Sequence, residues 1–129
     1  MNKNFREGRE AMIYRRKTYK VDAKIVKEFN QHFNETLLPA QLKHGARLIG
    51  RWMTAETADI TEIFAISEYD SYETYEEIES CVKTDQAHVE RVQAWLNKIG
   101  KENTGAYLKD EVKEDFLETT LSTNRNHLI

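Results

Sequence analysis

Apolar and polar positions change period several times along this chain, and each change marks an element. "MIYRRKTYKV" (Met12 to Val21) falls in a strand expected over roughly 11–20, with Arg15, Arg16 and Lys17 at its centre. Neighbours on a strand point to opposite faces, so at least one of these cations must face whatever covers the sheet. Asp22 follows where a helix N-cap belongs, and Val21, Ile25, Val26, Phe29, Phe33 and Leu37 form one oily stripe at helical spacing. Pro39 biases Leu38 away from helix. "PAQLKHG" reads as one further turn, with Gly45 just past its end.

Residues 46–54 and 59–69 predict two strands joined by a short polar connection, hence an antiparallel pair. Asp70 with Glu73 predicts a capping box opening the next helix. His88, Val92, Trp95 and Ile99 mark a further helical stripe that Gly100 can end. A last strand is expected within 110–121. The order β-α-β-β-α(α)-β is that of an α+β, ferredoxin-like domain with a four-stranded antiparallel sheet, expected over residues 11–121 between tails at 1–10 and 122–129.

Helices can cover only one face of such a sheet. The third strand nevertheless carries apolar groups on both sides: Ile60, Phe64 and Ile66 on one, Ile63, Ala65 and Tyr69 on the other. The uncovered face is therefore expected to be buried against a second copy, making a homodimeric α/β barrel.

Composition narrows the class. The chain has 129 residues, 40% hydrophobic and 32% charged, with six Tyr, five Phe and two Trp, which suits one folded domain and not a disordered segment. A net charge of −3 argues against nucleic-acid binding. A single cysteine, Cys81, excludes an internal disulfide, and a cytoplasmic location is expected; Cys81 itself is expected to be a buried, inert thiol. No apolar run approaches the ~20 residues of a membrane span, and the start lacks the oily stretch of a signal peptide. Glu28, His32 and Glu35 share one helix face, expected to be solvated and not a metal site. Nucleotide-binding glycines, zinc pairs and Ser–His–Asp spacing do not occur, and no cofactor is expected.

Several short passages, in order, resemble the NIPSNAP family: "IYRRKTYKV", "LLPAQLKHGARLIGRWMT" and "TEIFAISEYDSYETYEE". The family's Tyr-x-x-Arg-x-Tyr strand falls on Tyr14, Lys17 and Tyr19. Its Leu-Pro…Lys-His-Gly passage falls on Leu38, Pro39, Lys43, His44 and Gly45. Its Gly-x-Trp strand falls on Gly50 and Trp52, and its Tyr-Asp-Ser on Tyr69, Asp70 and Ser71. The resemblance covers roughly residues 12 to 100. It implies a ferredoxin-like domain pairing into a dimeric barrel, with cofactor-free monooxygenases, small isomerases and haem-degrading enzymes as relatives by architecture and no generally established reaction for the family itself. Two departures stand out. Lys17 replaces the family's arginine and lacks its bidentate fork. The third strand, usually Val-x-His-x-Trp-x-Tyr, here reads Ile63, Ala65, Ser67, Tyr69.

By the family register, Arg15, Lys17 and Tyr19 would share the face away from the helices. There Lys17 and Tyr19 would line a barrel cavity with Trp52 and Tyr69 and hold a small, partly apolar or anionic ligand. The competing reading makes these cations inter-subunit salt bridges to Glu62 or Glu68. His44 and Tyr69 are the candidates for proton transfer, though a histidine at His44's position more often meets a helix end. His88 is expected to be packed and hydrogen-bonded. The reading that follows is a small-molecule-binding or interaction module. The alternatives are a cofactor-independent monooxygenase or isomerase, or a haem protein if His44 or His88 faced the cavity.

Overall fold

The computed structural model describes residues 12–54, 59–100 and 112–121. Strand β1 (Ile13–Asp22) leads through a short 3-10 turn (Ala23–Ile25) into helix α1 (Val26–His32), a π-helical segment (Phe33–Leu37) and α2 (Leu38–Lys43). Strands β2 (Arg47–Met53) and β3 (Ile60–Tyr69), helices α3 (Tyr72–Lys83) and α4 (Gln86–Ile99) and strand β4 (Lys113–Leu117) follow. The sheet is antiparallel in the order β2-β3-β1-β4, with the first strand inside, as the ferredoxin-like pattern requires. The expected tails, 1–10 and 122–129, lie outside the described residues.

Asp22 accepts from the Lys24 amide as expected of a cap. The cap of α3 is one residue later than predicted: Ser71, not Asp70, accepts the Thr74 amide, and Asp70 instead binds Arg47 at 2.8 Å. Gly45 and Gly100 close their helices with φ of 107° and 85°, a region that costs other residues a steric clash.

Pro39 does not break the helix. Leu37 and Leu38 stay helical, and the Leu38 amide donates to the Phe33 carbonyl five residues back. Proline has no amide to give, and its ring crowds the carbonyl four residues earlier, here that of Glu35. A π turn makes room for it. The same turn explains the spacing of the oily stripe. Ile25, Phe29, Phe33 and Leu37 recur every fourth residue, which drifts about 40° per step on an α-helix. One wide turn takes up the drift and keeps Phe33 and Leu37 over the sheet.

The core is divided. One buried cluster holds Ile13, Ala40, Ala46, Tyr69, Ile78 and Val82, and the other Val21, Ile25, Val26, Phe29 and Ile63. They sit toward opposite ends of β1, whose middle carries Arg15 and Lys17 on the same helix-covered face. Contrary to the sequence reading, His32 is not on a solvated face. It is 4% exposed and stacks on Trp95, ring centres 4.0 Å apart and nearly parallel, so it joins α1 to α4.

Burial, with a smaller contribution from nearby His88, lowers the His32 pKa to about 4 from the ordinary 6.5. Between those two values the unfolded chain takes up a proton that the folded chain refuses, so stability is present above pH 6.5 and is lost as pH falls toward 4. His32→Phe keeps a ring on Trp95 and removes the proton site. In denaturant melts taken at steps across that window, the wild type is expected to lose more stability than the variant. Parallel curves would show that His32 does not carry the effect.

Candidate functional site

Between the two core clusters lies a partly open cavity of about 250 Å³, with the sheet on one side and the helices on the other. Its floor is the middle of three strands. Lys17 on β1 and Arg51 on β2 are both in direct register with Ala65 on β3, so the two cations flank a methyl group. One step along, Arg15 and Leu48 flank Ser67. The roof is mostly apolar, Phe33 and Leu37 from the π segment, Leu38 and Leu42 from α2 and Val82 from α3, with Gln41 and Glu79 as its polar members. His88, at the start of α4, also lines it.

The three cations of the floor are treated differently. Arg15 is buried and fully answered, at 2.5 Å by Glu114 and 3.4 Å by Glu79, with its guanidinium 5.2 Å from the Tyr75 ring centre. Burial opposes its charge, but the two carboxylates win and hold it more firmly protonated than a free arginine. Arg51 has no carboxylate partner among the described residues. Its Nη1 donates to the neutral Asn30 Oδ1 at 2.8 Å, its guanidinium lies 4.1 Å from the Phe33 ring centre, and its Nη2 is buried with no partner among the described residues. Burial accordingly lowers its pKa. Lys17 likewise has no carboxylate partner among the described residues, and its ammonium sits 5.6 Å from the Tyr19 ring centre. A buried cation without a counter-charge is costly. Arg51, whose Nη2 is buried, comes near that case, and Lys17, half-buried, adds a second positive charge to the same cavity, so an anion would be favoured there.

The expectation that Arg15, Lys17 and Tyr19 point away from the helices is thus corrected: they share the covered face, and the cavity belongs to a single chain. Tyr69 is on that same face, 1% exposed, but it is packed into the first core cluster against Tyr75 and does not line the cavity. Burial pushes its phenol pKa up, against the pull of Arg15. Trp52 is not brought together with the others. It lies on the opposite face, on Phe64, and its indole covers Gly50 so closely that a Cβ there would meet Cη2 at 2.4 Å. A β-bulge between Leu48 and Gly50 is the cause. Uninterrupted alternation from Leu48 would turn Trp52 inward and Arg51 outward, and one extra residue exchanges them. Arg51 was missed for that reason. The only sequence signal was a glycine inside a strand pattern.

His44 is held in a structural network: its Nε2 lies 2.8 Å and the Lys43 ammonium 2.9 Å from Asp85 Oδ2, while Asp85 caps α4. These contacts hold the Asp85 carboxyl well below the usual carboxylate range. His44 does not line the cavity. His88 is packed as expected, but its buried Nδ1 has no hydrogen-bond partner among the described residues. Burial lowers its pKa against the opposing pull of Asp85. The cavity equals about eight waters at about 30 Å³ each, far short of a porphyrin. Within the chain Glu68 binds Arg47 at 3.0 Å and Tyr14 at 3.1 Å. Cys81 is exposed, not buried.

No curated protein matches the chain. Solved structures do. An uncharacterized NIPSNAP-like domain protein from Burkholderia xenovorans superposes with a TM-score of 0.67 at 19% identity, covering 89% of this chain and 91% of that one. A NIPSNAP family protein with unknown function from Agrobacterium tumefaciens superposes with a TM-score of 0.65 at 18% identity, covering 88% and 93%. At such identities the likeness speaks for the fold alone. The NIPSNAP family profile, however, matches residues 14–105, most of the chain, and the protein belongs to the NIPSNAP family.

Proposed function

We propose that this NIPSNAP protein is a small-molecule-binding module whose ligand, partly apolar and anionic, occupies the cavity between sheet and helices. One observation carries the reading: an apolar hollow in the middle of the core is floored by two cations that no carboxylate of the described residues answers. A hollow of purely structural origin would be expected to collapse or to be lined by apolar groups alone. Lys17 and Tyr19 then bind, Arg51 joins them, and Trp52 and Tyr69 fall outside the site. Proton-transfer chemistry would need a group other than His44 or Tyr69, neither of which lines the hollow. No helix among the described residues is long and apolar enough to cross a membrane. With its one thiol we take the protein to work in the cytoplasm.

The sheet's other face supports a second part of the proposal. Trp52 and Ile60 are 48% and 42% exposed on it, beside half-buried Phe64 and Ile66. Aromatic and branched side chains standing together on an uncovered sheet favour a second copy of the chain as the occupant. The homodimer is not required to form the cavity, which is complete in one chain.

Two measurements test these statements. Native mass spectrometry after gentle purification, or ligand-observed NMR with a panel of small apolar acids, is expected to detect binding that Lys17→Met weakens. Absence of any ligand signal for the wild type would remove the binding role. In sedimentation at micromolar concentration the wild type is expected to be dimeric and Trp52→Glu monomeric. A wild-type monomer would refute the dimer and leave the cavity reading intact.

A further inference from the structure

Resting on that reading, we infer that the ligand is a singly charged carboxylate on a short, flat apolar body, its two oxygens bridging Arg51 and Lys17 above Ala65. The argument begins with charge. Around the floor stand three cations, Arg15, Lys17 and Arg51, and two carboxylates, Glu79 and Glu114. The carboxylates are both spent on Arg15, so one net positive charge remains at a partly buried site. One negative charge balances it. A dianion such as a phosphate monoester would overshoot and meet the field of Glu79 at the same wall.

Geometry points the same way. Arg51 is already fixed before any ligand arrives: Asn30 holds Nη1 and Phe33 lies against the guanidinium. Its one buried donor left over is Nη2. Lys17 stands two strand spacings away, about 10 Å at the backbone. Both long side chains can lean over the single methyl group of Ala65 that separates them. A carboxylate has two oxygens and fits two separate donors of this kind. Tyr19 adds a ring beside both cations. Beyond the charged end, the ligand meets Phe33, Leu37, Leu38, Leu42 and Val82 with no further cation. A volume of about 250 Å³ accommodates a single ring or a short chain.

The test uses three probes of one shape: benzoate, benzamide and phenyl phosphate, titrated into the full-length protein by calorimetry and by methyl NMR of Leu37, Leu38 and Val82. Benzoate is expected to bind best, with those methyls shifted. Arg51→Met is expected to weaken it at least about tenfold, the loss of a charge-assisted contact, and Arg51→Lys less. Because Arg51→Met removes an uncompensated buried charge, the empty variant should melt no lower than the wild type. Ala65→Leu fills the gap between the cations and should abolish benzoate binding without altering charge. If benzamide or phenyl phosphate matches benzoate while the methyls still shift, the carboxylate assignment is overturned and the cavity reading survives. If no probe shifts the methyls, and no apolar acid of the wider panel does either, both fail. If Arg51→Met binds benzoate as the wild type does, the anchor is misassigned and the inference falls.

Discussion

The structure turns on a shortage of volume at the centre of its sheet. Ala65 and Ser67 occupy the two middle positions of β3 that face the helices, while Ile63 and Tyr69 at either side are buried almost completely. Interiors close on themselves at near-crystalline density, so two small residues in succession must be answered by larger ones from above or leave a void. Here the roof does not descend. The π turn that accommodates Pro39 and the helix α2 after it span the gap, and Gly45 lies just past the end of that span. The two core clusters on either side hold the helices at that height.

What fills the floor instead is charge, and that has a cost. An arginine partly buried at the hollow gives up hydration without gaining a counter-ion among the described residues, and the half-buried lysine beside it adds a like charge, so the pair destabilises the empty protein. Aromatic contacts return part of it, Phe33 to Arg51 and Tyr19 to Lys17, each worth about 0.5–2 kcal/mol. Stability alone would favour apolar residues at both positions. Groups that weaken a fold and converge on one cavity are the kind of feature expected at a binding site.

The sequence made the architecture legible because its signals are local and repeated. Strand alternation, an Asp cap, glycines at two helix ends and a short hairpin connection each announce themselves within a few residues. The site was only half legible. That some of the opening cations must point inward followed from alternation alone; the family register grouped Lys17 with Tyr19 but placed them on the face away from the helices. Which face the helices cover did not follow, since both faces of β3 carry apolar side chains. Trp52 was grouped with Lys17 and Tyr19, and Arg51 was passed over, while a bulge at one residue inverts everything beyond it in β2. His32 escaped for a similar reason: Glu28 and Glu35 are exposed, but the imidazole between them finds Trp95 from a distant helix. Periodicity within one element carries no information about such a partner.

The edge strand β4 shows how the unpaired state of Lys17 is maintained. Glu114 stands directly opposite Lys17 in the β1–β4 register and would be its natural cross-strand partner. Its carboxylate instead reaches along the sheet to Arg15 Nε and lies within 3.4 Å of the Tyr75 hydroxyl. Arg15 wins that competition because it is the more deeply buried cation, 8% exposed, and because its planar fork can hold Glu79 at the same time. Burying Arg15 without both carboxylates would be costly, so the pair cannot be released to neutralise its neighbour. Lys17 is left to the cavity as a consequence of satisfying Arg15, and the opening run of cations divides into one that holds the fold, one that faces outward to Asp115, and one that remains available to a ligand.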